Sequence, residues 1–405
     1  MRDIKEFQIL DINAVDNGLE IYHLMNNAGS RLAEHILAEF SECKSFIFVC
    51  GKGNNAGDGY VAASKLYESN LNAIVINVED EIKDIPQKAL QHYKGRFESL
   101  NFLEVCSKNN VLLIDCLLGS GIQGEPRGPY GKIIDNINKF KKILSVDVPS
   151  GFMKSKAVIP TQTLTFHDTK SGMNQSNSGD IFVADIGIAE FVDQSCGPGE
   201  LCLFPDFNPD NHKGKNGKVA IVGGGVYSGA PSLAGIGAYR TGVDLVHLFV
   251  PPNSYDQVST FAPELMVHKL ESEYITDKVV ELLRPYKFDS IVIGPGMGKI
   301  EESLSATSSI ISNFDNLVID ADAINSYDFS SENILLTPHL GELRRLGIDS
   351  SEEELVSFSK KHGVTVLLKG KIDFMTDGYS LKRNYTGHPR MAVGGTGDLL
   401  AGVCG

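Results

Sequence analysis

The stretch "SFIFVCGKGNNAGDGYVAASKLYESN", Ser45–Asn70, decides the fold. A short, β-rich apolar run enters a glycine-rich turn and continues into a helix-like pattern. A second stretch, "GKVAIVGGGVYSGAPSLAGIGAYRTG", Gly217–Gly242, repeats the same order of parts with little shared sequence. Between them, "LCLFPDFNPDNHKGKNG", Leu201–Gly217, carries two prolines and many polar turn residues. Such punctuation separates domains and places a boundary near residue 210, giving units 1–210 and 211–405. Further strand candidates are "VLLIDCLL", "KILSVDVP", "DSIVIGPG", "NLVIDAD" and "VTVLLKG". They are short, continuous and apolar, and most end in Asp, Gly or Pro. That is the pattern of parallel strands covered on both faces, with working loops at their carboxyl ends. The expected architecture is α/β, with two doubly wound domains in tandem.

Composition narrows the function. At 405 residues the chain exceeds one ordinary core. A net charge of -14 and a pI of about 5.2 argue against a protein that grips nucleic-acid phosphates. The seven cysteines are odd in number and form no CxxC pair, which argues against a disulfide framework and a zinc knuckle. No apolar run approaches the roughly 18 residues of a membrane span. The first residues, "MRDIKEFQILDINAVD", lack a signal-peptide core. A cytoplasmic protein without membrane or nucleic-acid partners is expected.

The loop "GKGNNAGDGY" follows a strand and opens a helix. Glycines let backbone approach a ligand, and the helix N-terminus favours an anion. Asn54 and Asn55 are polar side chains that folding alone does not require there. Asp58 is an acid where an anion site would exclude one unless it takes part in the chemistry. Asp115 ends one apolar strand, followed by Gly119–Gly121; Asp147 ends another, with Ser150 just beyond. A single acid at a strand tip is commonly a loop cap, but several tips of one sheet converge on one crevice. Oxygen ligands from Asn, Asp and Ser suit a hard cation rather than zinc.

In order, "GKGNNAGDGY", "DCLLGSGIQG", "SVDVPSG" and "GDIFVADIGI" resemble the YjeF N-terminal domain, an NAD(P)H-hydrate epimerase, over about residues 10–205. The resemblance implies a potassium ion held by Asn55, Asp115 and Ser150. It implies that Asn54, Asn55, Ala56, Gly57 and Asp58, with Gly119, Ser120 and Gly121, hold the hydrated nucleotide. Asp147 would contact the substrate and move the proton at the reacting carbon. Ala56 stands where the family usually has Gly, a change tolerated only at negative φ. The polar stretch "TFHDTKSGM" also departs from many relatives. His167 there reads as a satisfied strand histidine, and Lys170 has no evident role.

In the second half, "GGTGD", Gly394–Asp398, can aim several backbone N–H groups at one point. With the helix dipole behind them they would stabilise a transferred phosphoryl group, while Asp398 would orient or deprotonate an acceptor hydroxyl. No GxxxxGK[ST] loop occurs, so a Walker-type kinase is excluded. "GPGMG", "DADAIN", "TPHLGE", "LLKG" and "GGTGD" together resemble the ribokinase-like superfamily, and within it the ADP- or ATP-dependent NAD(P)H-hydrate dehydratases, over about residues 212–405. The resemblance implies that Gly296, His339 and Asp398 contact the hydrated nucleotide. It implies that Lys369, Gly370, Lys371, Ile372 and Asp373, with Gly395, Thr396 and Gly397, contact ADP or ATP. Glu342 would hold magnesium through water.

Relatives continue past "GGTGD", whereas here the sequence stops at Gly405, seven residues after Asp398. A helix that short is marginal without packing partners. A fragment, or a weakened dehydratase half, is expected. The leading reading is a bifunctional repair enzyme that epimerises R and S NAD(P)H hydrate and dehydrates the S form, with no nucleic-acid or membrane partner and assembly into a homo-oligomer expected. The alternatives are a small-alcohol kinase, such as one for a vitamin precursor, and a non-catalytic nucleotide-binding scaffold.

Overall fold

The computed structural model describes residues 1–121, 124–205, 208–325, 327–329, 333–349 and 351–405. Ile122 and Gln123, within the "DCLLGSGIQG" motif, lie outside the described residues. The chain forms two compact units: Met1–Asp193 with Gly197–Phe204, and Gln194–Cys196 with Pro205–Gly405. Among the described residues no helix is long and apolar enough to cross a membrane.

The first unit holds β1 (Ser45–Cys50), β2 (Ala73–Asn77), β3 (Arg96–Phe97), β4 (Val111–Cys116), β5 (Ile143–Val146), β6 (Gln162–Phe166) and β7 (Asp180–Ala184). They pair in the order β3-β2-β1-β4-β5-β6-β7, every pair parallel. Alternation along β1 feeds two cores. Phe46, Phe48 and Cys50 join Tyr60 and Leu66 of the helix Asn54–Glu68, while Ile47 and Val49 join Ile134 on the other face. Both faces are apolar because both are covered, which explains the unbroken apolar runs. The order reverses between β1 and β4, and a doubly wound sheet opens its ligand crevice at that point.

The second unit holds β8 (Lys218–Val222), β9 (Leu245–Val250), β10 (Met266–Lys269), β11 (Ser290–Ile293), β12 (Leu317–Ile319), β13 (Ile334–Leu336), β14 (Thr365–Leu368), β15 (Asp373–Thr376) and β16 (Leu381–Asn384). The order is β10-β9-β8-β11-β12-β13-β14-β15-β16, so the reversal falls between β8 and β11. Strands through β14 are parallel, but β14–β15 and β15–β16 are antiparallel. The expectation of parallel strands alone missed this edge hairpin. Its strands are half-buried and mixed in polarity, so they lack the apolar run that marks a covered strand. Its turn was visible: Asp377 accepts the N–H groups of Tyr379 (2.9 Å) and Ser380 (2.8 Å), with Gly378 at φ +87°.

The helix Thr396–Cys404 has the packing partner that the sequence did not supply. It lies on the helix Ala230–Arg240, where Ala234, Ala238 and Ala401 share one core. A Cβ added to Gly402 would stand 1.8 Å from the Ala234 carbonyl oxygen, and one on Gly237 would stand 2.2 Å from that of Leu399. Only backbone can approach so closely. Gly402→Ala is therefore expected to lower the melting temperature of the second unit, at a cost of about 1–3 kcal/mol. Gly229→Ala, at φ -81° with open space around it, should leave melting unchanged.

Candidate active sites

In the first unit a cavity of about 570 Å³ opens beside the β1/β4 reversal, lined by Asn54, Asn55, Asp58, Gly119, Ser120, Gly121 and Asp147. Ala56 and Gly57 do not line it. The Ala56 methyl is fully buried in the core, and its N–H is engaged by the Gly53 carbonyl at 3.0 Å. Ala56 lies in the helix and outside the positive-φ residues, so the usual glycine is dispensable there. A Cβ on Gly57 would meet Met25 Sδ at 2.3 Å, so that glycine serves helix packing.

Asp115, at the end of β4, is fully buried. Its carboxylate accepts from Ser145 Oγ (2.9 Å), the Ser150 N–H (2.9 Å), Ser150 Oγ (2.5 Å) and the Leu117 N–H (3.3 Å). Burial raises its pKa, and the hydrogen bonds of Ser150, Ser145 and Leu117 oppose that rise. These contacts bind the ends of β4 and β5 to the loop beyond. Asn55, in the first turn of the helix that opens this crevice, has both side-chain polar atoms buried without a hydrogen-bond partner. An orphaned amide oxygen, a hydroxyl and a carboxylate are hard oxygen donors of the kind that would suit a potassium ion.

Asp147 adopts φ +64°, a conformation that costs a non-glycine residue energy and persists where surroundings enforce it. Its N–H donates to the Leu164 carbonyl at 2.8 Å, and its carboxylate is held by Lys170, a residue to which the sequence assigned no role. Its side chain is 2% exposed, and its ammonium donates to Asp147 Oδ1 (2.5 Å), Thr165 Oγ1 (2.7 Å) and the Phe166 carbonyl (3.1 Å). The ring of Phe7 covers it at 4.1 Å. Asp11, also missed, lines the same cavity, where desolvation and the charge of Asp147 raise it to about 6. Asp58 is raised well above the usual carboxylate range by burial, then by the charges of Asp147 and Asp11. Lys170 lies four residues past β6, so spacing to a strand tip could have flagged it, whereas Asp11 lies in the helix Ile4–Asp16 and carries no such signal. His167 sits just past β6 rather than within it, 3.7 Å from Asp193.

In the second unit, strand tips around the β8/β11 reversal gather a comparable set. Asp320, after β12, is buried and accepts from Lys369 Nζ (2.7 Å) and Thr337 Oγ1 (2.7 Å). Lys369 lies after β14, and its Nζ is 3.3 Å from the place a Cβ on Gly397 would occupy. Asp398 stands in the first turn of the terminal helix, after Gly395 at φ +95°. Desolvation first, and then the charge of Asp320, raise Asp398 to about 6; Lys369 opposes the shift. Gly296, at φ +70°, admits no side chain because a Cβ would meet the Tyr227 carbonyl at 2.1 Å.

Other expected contacts are already engaged within the protein. Glu342 closes a capping box with His339: it accepts the His339 N–H at 2.8 Å, and its own N–H donates to His339 Nδ1 at 3.2 Å. Its second oxygen lies 3.3 Å from His339 Nε2, so Glu342 also serves the helix start. Asp373 accepts from the Gly370 N–H (2.9 Å) and Asn384 Nδ2 (3.0 Å), which ties β15 to β16 and leaves Lys371 and Ile372 in the connection between β14 and β15. The Thr396 hydroxyl donates to the carbonyls of Met391 and Val393. The Thr396 N–H donates to the Val393 carbonyl, so the N–H groups of Gly395 and Gly397 remain what this loop can offer an anion.

The fold and its two crevices define a two-domain α/β enzyme class built on paired doubly wound sheets. A family described as YjeF-related protein N-terminus matches residues 21–172, and one described as NAD(P)H-hydrate dehydratase matches residues 219–405. The Archaeoglobus fulgidus bifunctional NAD(P)H-hydrate repair enzyme Nnr is 35% identical over 98% of this chain and 87% of its own. The enzyme of that name from Coxiella burnetii is 32% identical over 100% of this chain and 88% of its own. A solved ADP/ATP-dependent NAD(P)H-hydrate dehydratase from Bacillus subtilis, co-crystallised with ATP/Mg2+, is 25% identical over 49% of this chain and 76% of its own, with a TM-score of 0.42. The chain belongs to the family of bifunctional NAD(P)H-hydrate repair enzymes Nnr.

Because Asp398 rises to about 6 on folding from an ordinary 3.8, the native state takes up a proton that the unfolded chain releases between those values. Its burial therefore costs stability above pH 6, and the cost disappears as pH falls toward 4. Asp398→Asn is expected to raise the melting temperature at neutral pH, with the gain shrinking under acid; paired thermal melts read the difference.

Proposed function

We infer that this chain repairs hydrated NADH and NADPH with both activities on one polypeptide. It interconverts the R and S epimers of the hydrate and dehydrates the S form at the expense of ADP or ATP. One observation carries this: the likeness to the bifunctional repair enzymes spans 98% of the chain at 35% identity, and so covers both crevices. A small-alcohol kinase or a non-catalytic scaffold would leave the first crevice without a purpose.

We assign the epimerase to residues 1–210 and the dehydratase to residues 211–405. In the first crevice Asn54, Asp58 and Gly119–Gly121 hold the nucleotide, and Asp147 faces the reacting carbon. Asn55, Asp115 and Ser150 would hold a potassium ion, which supplies positive charge for substrate phosphates. The orphaned Asn55 side chain supports that placement.

In the second crevice Asp398 takes the proton from the hydrate hydroxyl. Its value of about 6 leaves it anionic at neutral pH yet more basic than a free aspartate. The hydroxyl oxygen bonds to the terminal phosphorus of ADP or ATP, and the bond to the departing nucleotide breaks. The N–H groups of Gly395 and Gly397 meet the transferred charge. Phosphate then leaves with its C–O bonding pair while the adjacent carbon loses a proton, which restores the ring double bond. His339 and Gly296 border the substrate; Lys369–Asp373 border the nucleotide, and Glu342 would hold magnesium through water.

Incubation with mixed hydrate epimers and ADP or ATP should restore reduced-nicotinamide absorbance. Asp398→Asn should slow that recovery by on the order of 10²-fold or more while R-to-S conversion persists. A stable phosphorylated product without regained absorbance would instead mark a kinase. Potassium should raise the melting temperature of the first unit relative to sodium, and Asn55→Ala should abolish that difference.

A further inference from the structure

The first cavity contains an asymmetry that the assignment above does not use. Asp58 and Asp147 both line it. Asp147 presses one oxygen against Lys170, whose remaining donors are engaged by Thr165 and Phe166, so this ammonium serves Asp147 and cannot also turn to Asp58. Asp58 is buried in the first turns of the helix Asn54–Glu68, close enough to Asp147 and Asp11 to feel both charges. One carboxyl group is in direct contact with the ammonium; the other has desolvation and two acidic neighbours, which together outweigh the charge of Lys170.

We propose that the epimerase works with a divided pair of carboxyl groups: Asp58 is the acid that protonates the departing hydroxyl, Asp147 is the carboxylate that receives the proton of the incoming water, and Lys170 is the positioning residue that enforces the division. The proposal rests on the epimerase reading of this cavity. In a hydrated dihydronicotinamide the hydroxyl sits on a carbon bonded to the ring nitrogen. Asp58 gives its proton to that oxygen, the C–O bond breaks, and water leaves with the bonding pair. The nitrogen lone pair forms a C=N bond, and the resulting cation is stabilised by the Asp147 carboxylate. Water then adds to the opposite face of the carbon, the C=N pair returns to nitrogen, and the water proton passes to Asp147. Proton exchange with solvent resets both acids. Burial and the charge of Asp147 favour the neutral form of Asp58, as this role requires. The other titratable groups facing the cavity are Asp11 from the first helix, Lys52 after β1, Lys83, Tyr130 and His167. Asp11 is the competing acid, on the first helix rather than on the glycine-rich loop.

The test follows separated R and S epimers by chromatography, using full-length protein without adenine nucleotide so that the dehydratase is silent. In H2 18O, each inversion by the wild type should install one labelled oxygen; retention of the original oxygen would overturn C–O cleavage. Asp58→Asn should slow inversion by on the order of 10²-fold or more, whereas Asp11→Asn should change it by less than about threefold. The reverse ranking would overturn the choice of acid. Lys170→Met should lower kcat with little change in KM, because Asp147 loses the ammonium that holds its reacting carboxylate, and Lys170→Arg should restore kcat. A rise in KM at unchanged kcat would leave Lys170 only structural. Should Asp58→Asn fail to fold, the wild-type profile still decides: an alkaline limb is required, and its absence would refute the acid role. A wild type that inverts neither epimer sinks the epimerase reading itself, which is a different result from an active enzyme indifferent to Asp58.

Discussion

A strand buried on both faces leaves its acids for its ends, where donors can reach them, and both units of this protein follow that constraint. Parallel strands all end on one side, so their carboxyl tips collect whatever chemistry the unit has. Asp115 shows the constraint at its sharpest. It is a fully buried carboxylate at the last turn of a core strand, tolerable because Ser145, Ser150 and Leu117 supply donors to both oxygens. Those same bonds fix the loop that begins at Leu117 and the turn that carries Ser150. The crevice is thus assembled by the need to satisfy one buried charge.

The two crevices converge on a common electrostatic plan despite their different reactions. Each has a lysine tied to an aspartate: Lys170 with Asp147, Lys369 with Asp320. Each has a second aspartate pushed upward by burial and by its acidic neighbour, Asp58 in one and Asp398 in the other. Placing acids at different depths around one fixed ammonium separates their proton affinities, so a single residue type can serve both as anion and as proton carrier. The plan has a stability cost, since the raised groups would prefer water at neutral pH.

Glycine has a different purpose in each place. Gly402 and Gly237 permit two helices to touch backbone to backbone, which gives the short terminal helix its support. Gly296 and Gly395 hold left-handed turns at the mouth of the second crevice. Ala56 marks where the need ends: inside a helix and against the core, a methyl group fits.

Sequence by itself determined the two strand–glycine-turn–helix openings, the covered parallel strands and the acids at their tips, because burial period and turn chemistry are local properties. It also identified the loops that line the first cavity, since glycine, asparagine and aspartate at a strand end have few structural uses together. Only the tertiary structure decided which polar groups are already engaged. That Glu342 caps a helix, that Asp373 clamps a hairpin, and that Lys170 holds Asp147 each depend on partners the chain brings together by folding. The same holds for the proton affinities of Asp58 and Asp398, since desolvation and neighbouring charge belong to a place in the fold and not to a residue type.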